Sequence, residues 1–264
     1  MKLYFLGTRG EIEARSRRHR RHSVLHVSHG GRALLVDFGR DWLGAPPRVD
    51  VEALLLTHAH PDHVGGLRAG SRWPVYGSEQ TLSALSRYPL GERRPLRPRR
   101  PEQVAGMTVE AFPVEHSLRA PAVGYRIGAG RSAIFYAPDL VAVEEPADAF
   151  AGLDLYVGDG AAIGRSIVRY REGKPIGHAS IRVQLAWCAR TRVGRAIFTH
   201  CGSEIVRDER RAAERVAALG AECGVQASIA HDGLELDVRA VGRVGTYERT
   251  SAAPLGHPRS GSRR

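Results

Sequence analysis

The feature that most constrains the fold is a short apolar run that leads straight into a cluster of histidine and aspartate residues. Residues 53–56 read Ala-Leu-Leu-Leu, and residues 57–63 read Thr-His-Ala-His-Pro-Asp-His. The apolar run is typical of a buried strand. Because side chains two residues apart in an extended chain point the same way, His58 and His60 are expected to face one common point. The motif therefore predicts a metal site at the end of a strand.

The second half of the motif, Pro61-Asp62-His63, predicts a change of chain direction at the start of a helix. Pro61 suits the first position of a helix, which would place Asp62 and His63 where they face a second ion. Imidazole nitrogen and carboxylate oxygen are the usual protein ligands of zinc. Two ions need about seven protein groups, whereas the motif supplies four. The remaining ligands are expected where polar residues directly follow later apolar runs, at His116, Asp139 and His200.

Short apolar runs bounded by glycine and proline predict the strands of the chain. They cover residues 2–6, 24–27, 33–36, 53–56, 108–114, 122–127, 133–136, 153–157, 196–199, 225–230 and 234–238. Helical periodicity marks residues 78–87, 180–189 and 204–219, the last ending at Gly220. Because the first and middle strands follow one another without crossover helices, a doubly wound parallel sheet fits less well than two packed sheets. The predicted class is α/β (α+β), an αββα four-layer sandwich with helices outside.

The positive charge is concentrated in three segments. Lys and Arg number 39 against 28 Asp and Glu, a formal net charge of +11. Residues 15–22, 92–102 and 250–264 together account for all of it. Such segments are either phosphate-binding surfaces or solvated loops in an arginine-rich protein. Residues 1–249 are predicted to form one domain, and residues 250–264 a basic, disordered tail.

Hydropathy and cysteine content point to the cytoplasm. No apolar run approaches the ~20 residues that a membrane span needs. The apolar start of the chain meets Gly7 too soon for a signal peptide. The three cysteines, Cys188, Cys201 and Cys223, are too few for a disulfide scaffold and suit a reducing compartment. The predicted location is therefore cytoplasmic, with no membrane partner.

The order of these motifs resembles that of the metallo-β-lactamase-fold hydrolases. In that family a His-x-His-x-Asp-His motif is followed by a later His, a later Asp and a last His in a Thr-His pair, as at residues 199–200. Val-Asp-Phe-Gly at residues 36–39 resembles the family's Asp-x-Gly after its first hairpin. Leu-Gly-Thr at residues 6–8, Gly-His-Ala-Ser at 177–180 and Ala-His-Asp-Gly at 230–233 resemble the ribonuclease Z and cyclic phosphodiesterase branch.

The resemblance implies a hydrolase with two divalent metal ions, zinc in the first place and manganese or iron as alternatives. A hydroxide that bridges the two ions would be the nucleophile. Iron-dependent redox members of the fold carry a carboxylate in place of His60, so an imidazole at this position favours zinc. The implied ligands are His58, His60 and His116 for one ion, Asp62, His63 and His200 for the other, and Asp139 as the bridge.

The resemblance also implies catalytic and supporting roles. Asp62 and His178 are the implied catalytic residues, and His178 would stabilise the phosphorane-like charge or protonate the leaving oxygen. Asp37 is the candidate to orient a ligand histidine, and a turn-capping role fits the same residue. His19 and His22, in the basic segment 15–22, are expected to be loop or surface residues.

The spacing between the later His and the bridging Asp bears on the substrate. Ribonuclease Z enzymes insert a long arm there that grips transfer RNA, whereas His116 and Asp139 are only 23 positions apart. The expected activity is therefore hydrolysis of a small or cyclic phosphodiester, or of short nucleic acid. Arg17, Arg18 and Arg119 are the candidate substrate-binding residues.

Two other classes of function remain open. Hydrolysis of a lactone, a thioester or another carboxylic derivative needs the same metal pair. A non-catalytic nucleic-acid-binding protein would use the arginine-rich loops, although it need not keep a complete ligand set. The expected partner is an anionic small molecule or a short nucleic acid, and the oligomeric state is open, with a homodimer as one candidate.

Overall fold

Strands make up the centre of the molecule. The computed structural model describes residues 1–239, and over that range the strands are β1 (Lys2–Gly7), β2 (Val24–His29), β3 (Arg32–Val36), β4 (Ala53–Leu56), β5 (Val75–Gly77), β6 (Arg93–Pro95), β7 (Glu102–Val104), β8 (Met107–Glu115), β9 (Ala122–Ala129), β10 (Ser132–Tyr136), β11 (Ala142–Val143), β12 (Leu155–Asp159), β13 (Ile167–Arg171), β14 (Lys174–His178), β15 (Arg195–Thr199), β16 (Gln226–Ile229) and β17 (Leu234–Asp237). The first sheet has the order β17-β1-β2-β3-β4-β5-β6. The second has the order β11-β8-β9-β10-β12-β15-β16, with β7 also paired to β8. β13 and β14 form a separate hairpin.

Helices connect the strands on the outside of the sheets. They are α1 (Pro61–Val64), α2 (Glu79–Ala84), α3 (Pro146–Ala149), α4 (Ile181–Arg190), α5 (Ser203–Arg207) and α6 (Glu209–Glu222). Ser78 caps α2 and Ser180 caps α4, because each hydroxyl accepts a hydrogen bond from the backbone N–H three residues further on. Among residues 1–239, no helix is both long and apolar enough to cross a membrane.

Three buried apolar clusters show how the layers stack. Side chains alternate along β3, so Leu34 and Val36 point between the two sheets and Leu35 points to the opposite face. The outer face of the first sheet packs in one cluster with Leu82 of α2. The outer face of the second sheet packs in another with Leu185 of α4. The layers therefore run helix, sheet, sheet, helix, which confirms the αββα sandwich.

Two predictions for the C-terminal helices are wrong. The helix expected over 204–219 is two helices, because Asp208 leaves the helical conformation and its carboxylate caps the start of α6. Gly220 lies inside α6, and the helix is followed instead by Gly224 at φ +67°, a left-handed conformation that favours glycine. The predicted domain boundary at residue 249 and the basic tail 250–264 lie outside the described residues.

The hairpin of β13 and β14 is absent from the predicted strands. Its turn is Glu172 and Gly173, both with positive φ, the pattern of a tight type I′ hairpin turn. β13 is mostly exposed, with Tyr170 76% exposed, and β14 is mostly half-buried. The hairpin therefore lacks the buried apolar face that marks the other strands.

The basic loop 15–22 is held by buried contacts. The Thr8 hydroxyl accepts a hydrogen bond from His19 Nδ1 at 2.8 Å and donates one to Asp232 Oδ1 at 2.7 Å. Asp232 Oδ2 accepts two more from backbone N–H groups of the loop. His19 and His22 lie in this loop, as expected, but they are 0% and 1% exposed, so they are not surface residues. The burial of His19 depends on Thr8 and, through it, on Asp232, which lies more than 200 residues further along the chain.

We expect His19 to reduce the stability of the fold below neutral pH. Burial, with the charges of His231 and Arg18, lowers the pKa of His19 from 6.5 to about 4. Between these two values the unfolded chain binds a proton that the folded chain does not. The free energy of unfolding therefore falls as the pH drops through this window, by at most about 1.4 kcal/mol per pH unit.

The variant His19→Asn tests this, since its amide still donates to Thr8. Urea unfolding across the window from about pH 6.5 to 4 should show a shallower pH dependence for the variant than for the wild type. Parallel curves for the two proteins would show that His19 does not cause the loss.

Candidate metal centre

The end of β4 positions the first two histidines of the motif. β4 is buried along its whole length and is fixed by parallel pairing to β3 and β5. The chain stays extended to His60, and Pro61 then opens α1, as the sequence predicts. His58 Nε2 lies 2.9 Å from His60 Nδ1, so the two side chains meet at one point.

One cluster joins His58 and His60 to residues that follow the strands of the second sheet. His116 follows β8, and Asp139 follows β10. Asp139 Oδ2 lies 3.5 Å from His58 Nε2 and 3.3 Å from His116 Nε2. Ligands placed tetrahedrally at ~2.0–2.2 Å from an ion lie ~3.3–3.6 Å from one another. These separations therefore suit a single bound cation, and we call this group the first cluster.

The second cluster contains Asp62, His63, Asp139 and His200. Asp62 Oδ2 lies 3.2 Å from His63 Nε2 and 3.0 Å from His200 Nε2. Asp139 contacts the other side, with Oδ2 3.4 Å from His63 Nε2 and Oδ1 2.9 Å from His200 Nδ1. His200 follows β15 with φ +53°, a backbone conformation that is costly for a residue other than glycine and is concentrated at functional sites. Asp139 belongs to both clusters.

A buried polar pair beneath the clusters orients two of these histidines. Asp37 accepts hydrogen bonds from His63 Nδ1 at 2.8 Å and from the backbone N–H of Thr57 at 2.8 Å. The Thr57 hydroxyl donates to Asp37 and lies 3.0 Å from His58 Nδ1. In both histidines Nδ1 is engaged, so the lone pair of Nε2 points into the cluster. Asp37 itself has φ +63°, which places its carboxylate under the motif.

His116 is held by the backbone of Gly177. Its Nδ1 donates to the carbonyl of Gly177 at 2.9 Å, so its Nε2 is free to face Asp139. Gly177 has φ +120°, and a Cβ there would lie 2.0 Å from the carbonyl oxygen of Ile167. Only glycine fits this position, which fixes the carbonyl that orients His116.

Burial and charge set different protonation states in the two clusters. Burial lowers the pKa of His58 well below its usual value and that of His60 to about 4, so both imidazoles are neutral at pH 7. In the second cluster burial alone would lower the histidine pKa values, but the neighbouring carboxylates outweigh it. The pKa of His63 is raised well above its usual value by Asp62, Asp139 and Asp37. Since metal ligands must be deprotonated, a cation bound here would displace this proton.

Buried ligand atoms that lack a well-directed hydrogen bond indicate that the clusters fit metal ions. His63 Nε2, Asp139 Oδ1 and His200 Nδ1 are buried and make no hydrogen bond of normal geometry within residues 1–239, although carboxylate oxygen and imidazole nitrogen lie 2.9–3.4 Å apart among them. An unsatisfied buried polar group costs about 1–3 kcal/mol. All three are ligand atoms of the same cluster, and imidazole nitrogen with carboxylate oxygen is a donor set for divalent cations such as zinc. The residues present therefore fit two divalent cations that share Asp139.

A second histidine–carboxylate pair lies beside the clusters. His178, the last residue of β14, donates from Nδ1 to Asp159 Oδ2 at 2.8 Å. Its ring lies 5.1 Å from that of His116 and 5.6 Å from that of His200, measured between centroids. Burial alone would lower the pKa of His178, but Asp159 outweighs burial and raises it. His178 is thus the partly exposed member of a hydrogen-bonded histidine–carboxylate pair next to the candidate metal ligands.

Asp159 is the functional candidate that the sequence interpretation missed. It ends β12 and is completely buried. Besides His178, its carboxylate accepts hydrogen bonds from the backbone N–H groups of Leu140 and Ala161. Like Asp139, it is an acid at the end of an apolar run, here Val-Gly-Asp-Gly over residues 157–160. The strand-end argument that selected Asp139 therefore applies to Asp159 as well.

The clusters open into a cleft with a volume of about 840 Å³. Seven of its lining residues come from the groups described above: His60, Asp62, His116, Asp139, Gly177, His178 and His200. Arg17, Arg18 and Arg119 are not among the described residues that line it. Arg18 instead forms an ion pair with Glu209 at 3.0 Å. A role for these three arginines in substrate binding stays a prediction.

The sandwich, with histidine and aspartate clusters at the ends of its strands, is of the metallo-β-lactamase type. Residues 32–201 match the family model for the beta-lactamase superfamily domain, and the chain belongs to that family. The family resemblance read from the motifs is thereby confirmed.

The chain is similar in sequence or in fold to several known proteins. A ribonuclease Z from Methanopyrus kandleri is 34% identical over 146 residues, covering 47% of this chain and 49% of the relative, so the match spans about half of that protein. The Zn²⁺-bound PqqB of Methylobacterium extorquens has a TM-score of 0.70 at 23% identity over 90% of this chain and 100% of its own. A diphosphatase of the PhnP family has a TM-score of 0.65 at 20% identity over 89% of this chain and 96% of its own. The structural matches show a shared fold.

Proposed function

We propose that the chain is a dinuclear metal-dependent hydrolase of phosphodiester bonds, acting on a small or cyclic phosphodiester or on short nucleic acid. The observation that carries this proposal is the sharing of Asp139 between two ligand clusters in a cleft that also presents His178. The relatives support it, since one is named a ribonuclease Z and a protein of the same fold is named a diphosphatase. Zinc is the proposed metal, as in the zinc-bound PqqB of the same fold.

The proposed ligand sets are those of the two clusters, with His58, His60 and His116 on one ion, Asp62, His63 and His200 on the other, and Asp139 on both. When bound, two such cations supply a water-derived nucleophile near neutral pH and neutralise the charge that grows on the phosphoryl oxygens. Asp37 and Thr57 keep the ligand nitrogens directed at the ions.

His178 is the proposed proton donor to the leaving oxygen. Its Nδ1 is bonded to Asp159, and its Nε2 makes no hydrogen bond to a residue within 1–239. Because Asp159 raises the pKa of His178, it favours the imidazolium form, in which Nε2 carries a proton that His178 can deliver in the cleft. Asp159 acts as the positioning residue of this pair.

The shape of the chain between His116 and Asp139 supports a short substrate. That interval is occupied by β9 and β10, which pair antiparallel inside the second sheet. An arm that grips a large RNA has no place in this interval. We also propose a cytoplasmic location, which the free thiols of Cys188, Cys201 and Cys223 support.

A substrate panel tests the proposal against the two other classes of function. Zinc- or manganese-loaded protein should hydrolyse bis(p-nitrophenyl) phosphate with a kcat/KM at least about a hundredfold above that for a lactone or a thioester, a difference of about 2.7 kcal/mol in transition-state stabilisation. Protein stripped with a chelator is the control and should be inactive on all three. Faster turnover of the lactone or thioester would assign the chain to the carboxylic hydrolases. Oligonucleotide binding without any turnover would assign it to the binding proteins.

A further inference from the structure

The hairpin of β13 and β14 contributes a continuous face to the cleft that holds the metal clusters. Partners in its register share one face, and Ile167 lies opposite His178 while Arg169 lies opposite Ile176. All four line the cleft, as does Arg165 just before β13. This face is therefore an apolar pair flanked by two guanidinium groups, with His178 at its inner end.

Outside the metal clusters, the side chains that line the cleft carry an excess of positive charge. The carboxylates of Glu11 and Glu204 line it, and each forms an ion pair with an arginine that lies outside the lining. Arg165 and Arg169 are exposed, and their guanidinium groups make no ion pair or hydrogen bond with another residue in the described range 1–239. The outer cleft therefore presents two uncompensated positive charges, which favour an anionic group.

The hairpin is fixed relative to the metal clusters. The Gly177 N–H donates to the carbonyl of His116 at 2.9 Å, and the Gly177 carbonyl accepts from His116 Nδ1 at 2.9 Å. One candidate metal ligand is thus bonded twice to the base of the hairpin. A group held on the hairpin therefore keeps a set position relative to a phosphate at the ions.

We propose that Arg165 and Arg169 form an anion-binding site for a second phosphate, and that Ile167 and Ile176 pack against the nucleobase beside it. The inference rests on the proposed phosphodiesterase function and narrows its substrate to nucleotide diesters that carry a further phosphate. Guanidinium groups bind phosphate through paired N–H donors. Ile167 is 51% exposed, so a base that covers it also removes apolar surface from water. A diester with a single phosphate occupies only the metal end of the cleft.

Adenosine 3′,5′-bisphosphate is the probe for this site. It differs from adenosine 3′- or 5′-monophosphate by one phosphate, and it contains no phosphodiester bond. Isothermal titration calorimetry of the zinc-loaded chain should show that the bisphosphate binds about ten- to a hundredfold more tightly than either monophosphate. In the double variant Arg165→Gln/Arg169→Gln, this preference should fall to about threefold or less, because the second phosphate loses the two guanidinium groups that bind it.

The matched control is Arg171→Gln. Arg171 lies on the same hairpin, and its replacement removes the same charge, but it does not line the cleft. This variant should keep the preference of the wild type for the bisphosphate. Equal binding of bisphosphate and monophosphates by the wild type, or an equal loss of preference in Arg171→Gln, would overturn the assignment.

Turnover of bis(p-nitrophenyl) phosphate separates this inference from the function on which it rests. An inactive wild type that still prefers the bisphosphate would refute the phosphodiesterase proposal and support the anion site. An active wild type that binds bisphosphate and monophosphates equally would support the phosphodiesterase proposal and refute the anion site.

Discussion

Replacing Asp139 with Asn is expected to reduce the zinc bound per chain from about two ions to one or fewer, because two ions need about seven protein ligands. Asp139 Oδ2 lies 3.3–3.5 Å from ligand nitrogens of His58, His116 and His63, and Oδ1 lies 2.9 Å from His200. Since this carboxylate belongs to both clusters, losing its charge weakens both sites. The kcat/KM on an aryl phosphodiester should fall by about a thousandfold or more, or about 4 kcal/mol of transition-state stabilisation.

The matched control for this experiment is Asp232→Asn. Asp232 is also a largely buried aspartate with several hydrogen bonds, but it fixes the basic loop and belongs to neither cluster. It should retain about two zinc ions by elemental analysis. An Asp139→Asn protein that holds two ions with full activity, or a wild type that takes up no metal from excess zinc, would refute the dinuclear assignment.

The candidate metal ligands were accessible from the sequence because each directly follows an apolar run. Strands that run in the same direction through a sheet end at a common edge, so polar residues just beyond them meet there. His116, Asp139 and His200 are brought together in this way although they follow different strands. Asp159 carries the same strand-end signal, but it has no counterpart in the order of metal ligands that the family resemblance implies.

The hairpin and the burial of His19 were not predicted from the sequence, for physical reasons. The sequence of β13 and β14 has a hairpin turn at Glu172 and Gly173, but its strands bury no apolar face, and hydrophobic alternation is the feature that predicts strands. His19 lies in a run of arginines that reads as solvated. Its burial comes from Thr8 and from contacts around Asp232, more than 200 residues away in the chain. Local composition carries no information about such contacts.

Replacing His178 with Ala is expected to lower kcat by about 10²–10⁴-fold on a diester whose leaving group is an alcohol or a nucleoside. His178 is held by Asp159 at 2.8 Å, and this carboxylate favours the protonated imidazole. An alkoxide is a poor leaving group and needs that proton as the bond to phosphorus breaks. A p-nitrophenolate leaves without one, so on bis(p-nitrophenyl) phosphate the same variant should lose about tenfold or less.

The dependence on the leaving group distinguishes proton donation from a structural role. Asp159→Asn should show the same pattern in milder form, because His178 would remain in the cleft with less tendency to hold a proton. Zinc content should be unchanged in both variants, since neither residue is a proposed metal ligand. His26→Ala, at a half-buried histidine on β2 outside the cleft, should leave both rates as they are. An equal loss on both diesters, or a loss of zinc in His178→Ala, would mean that His178 shapes the metal site and does not supply the proton.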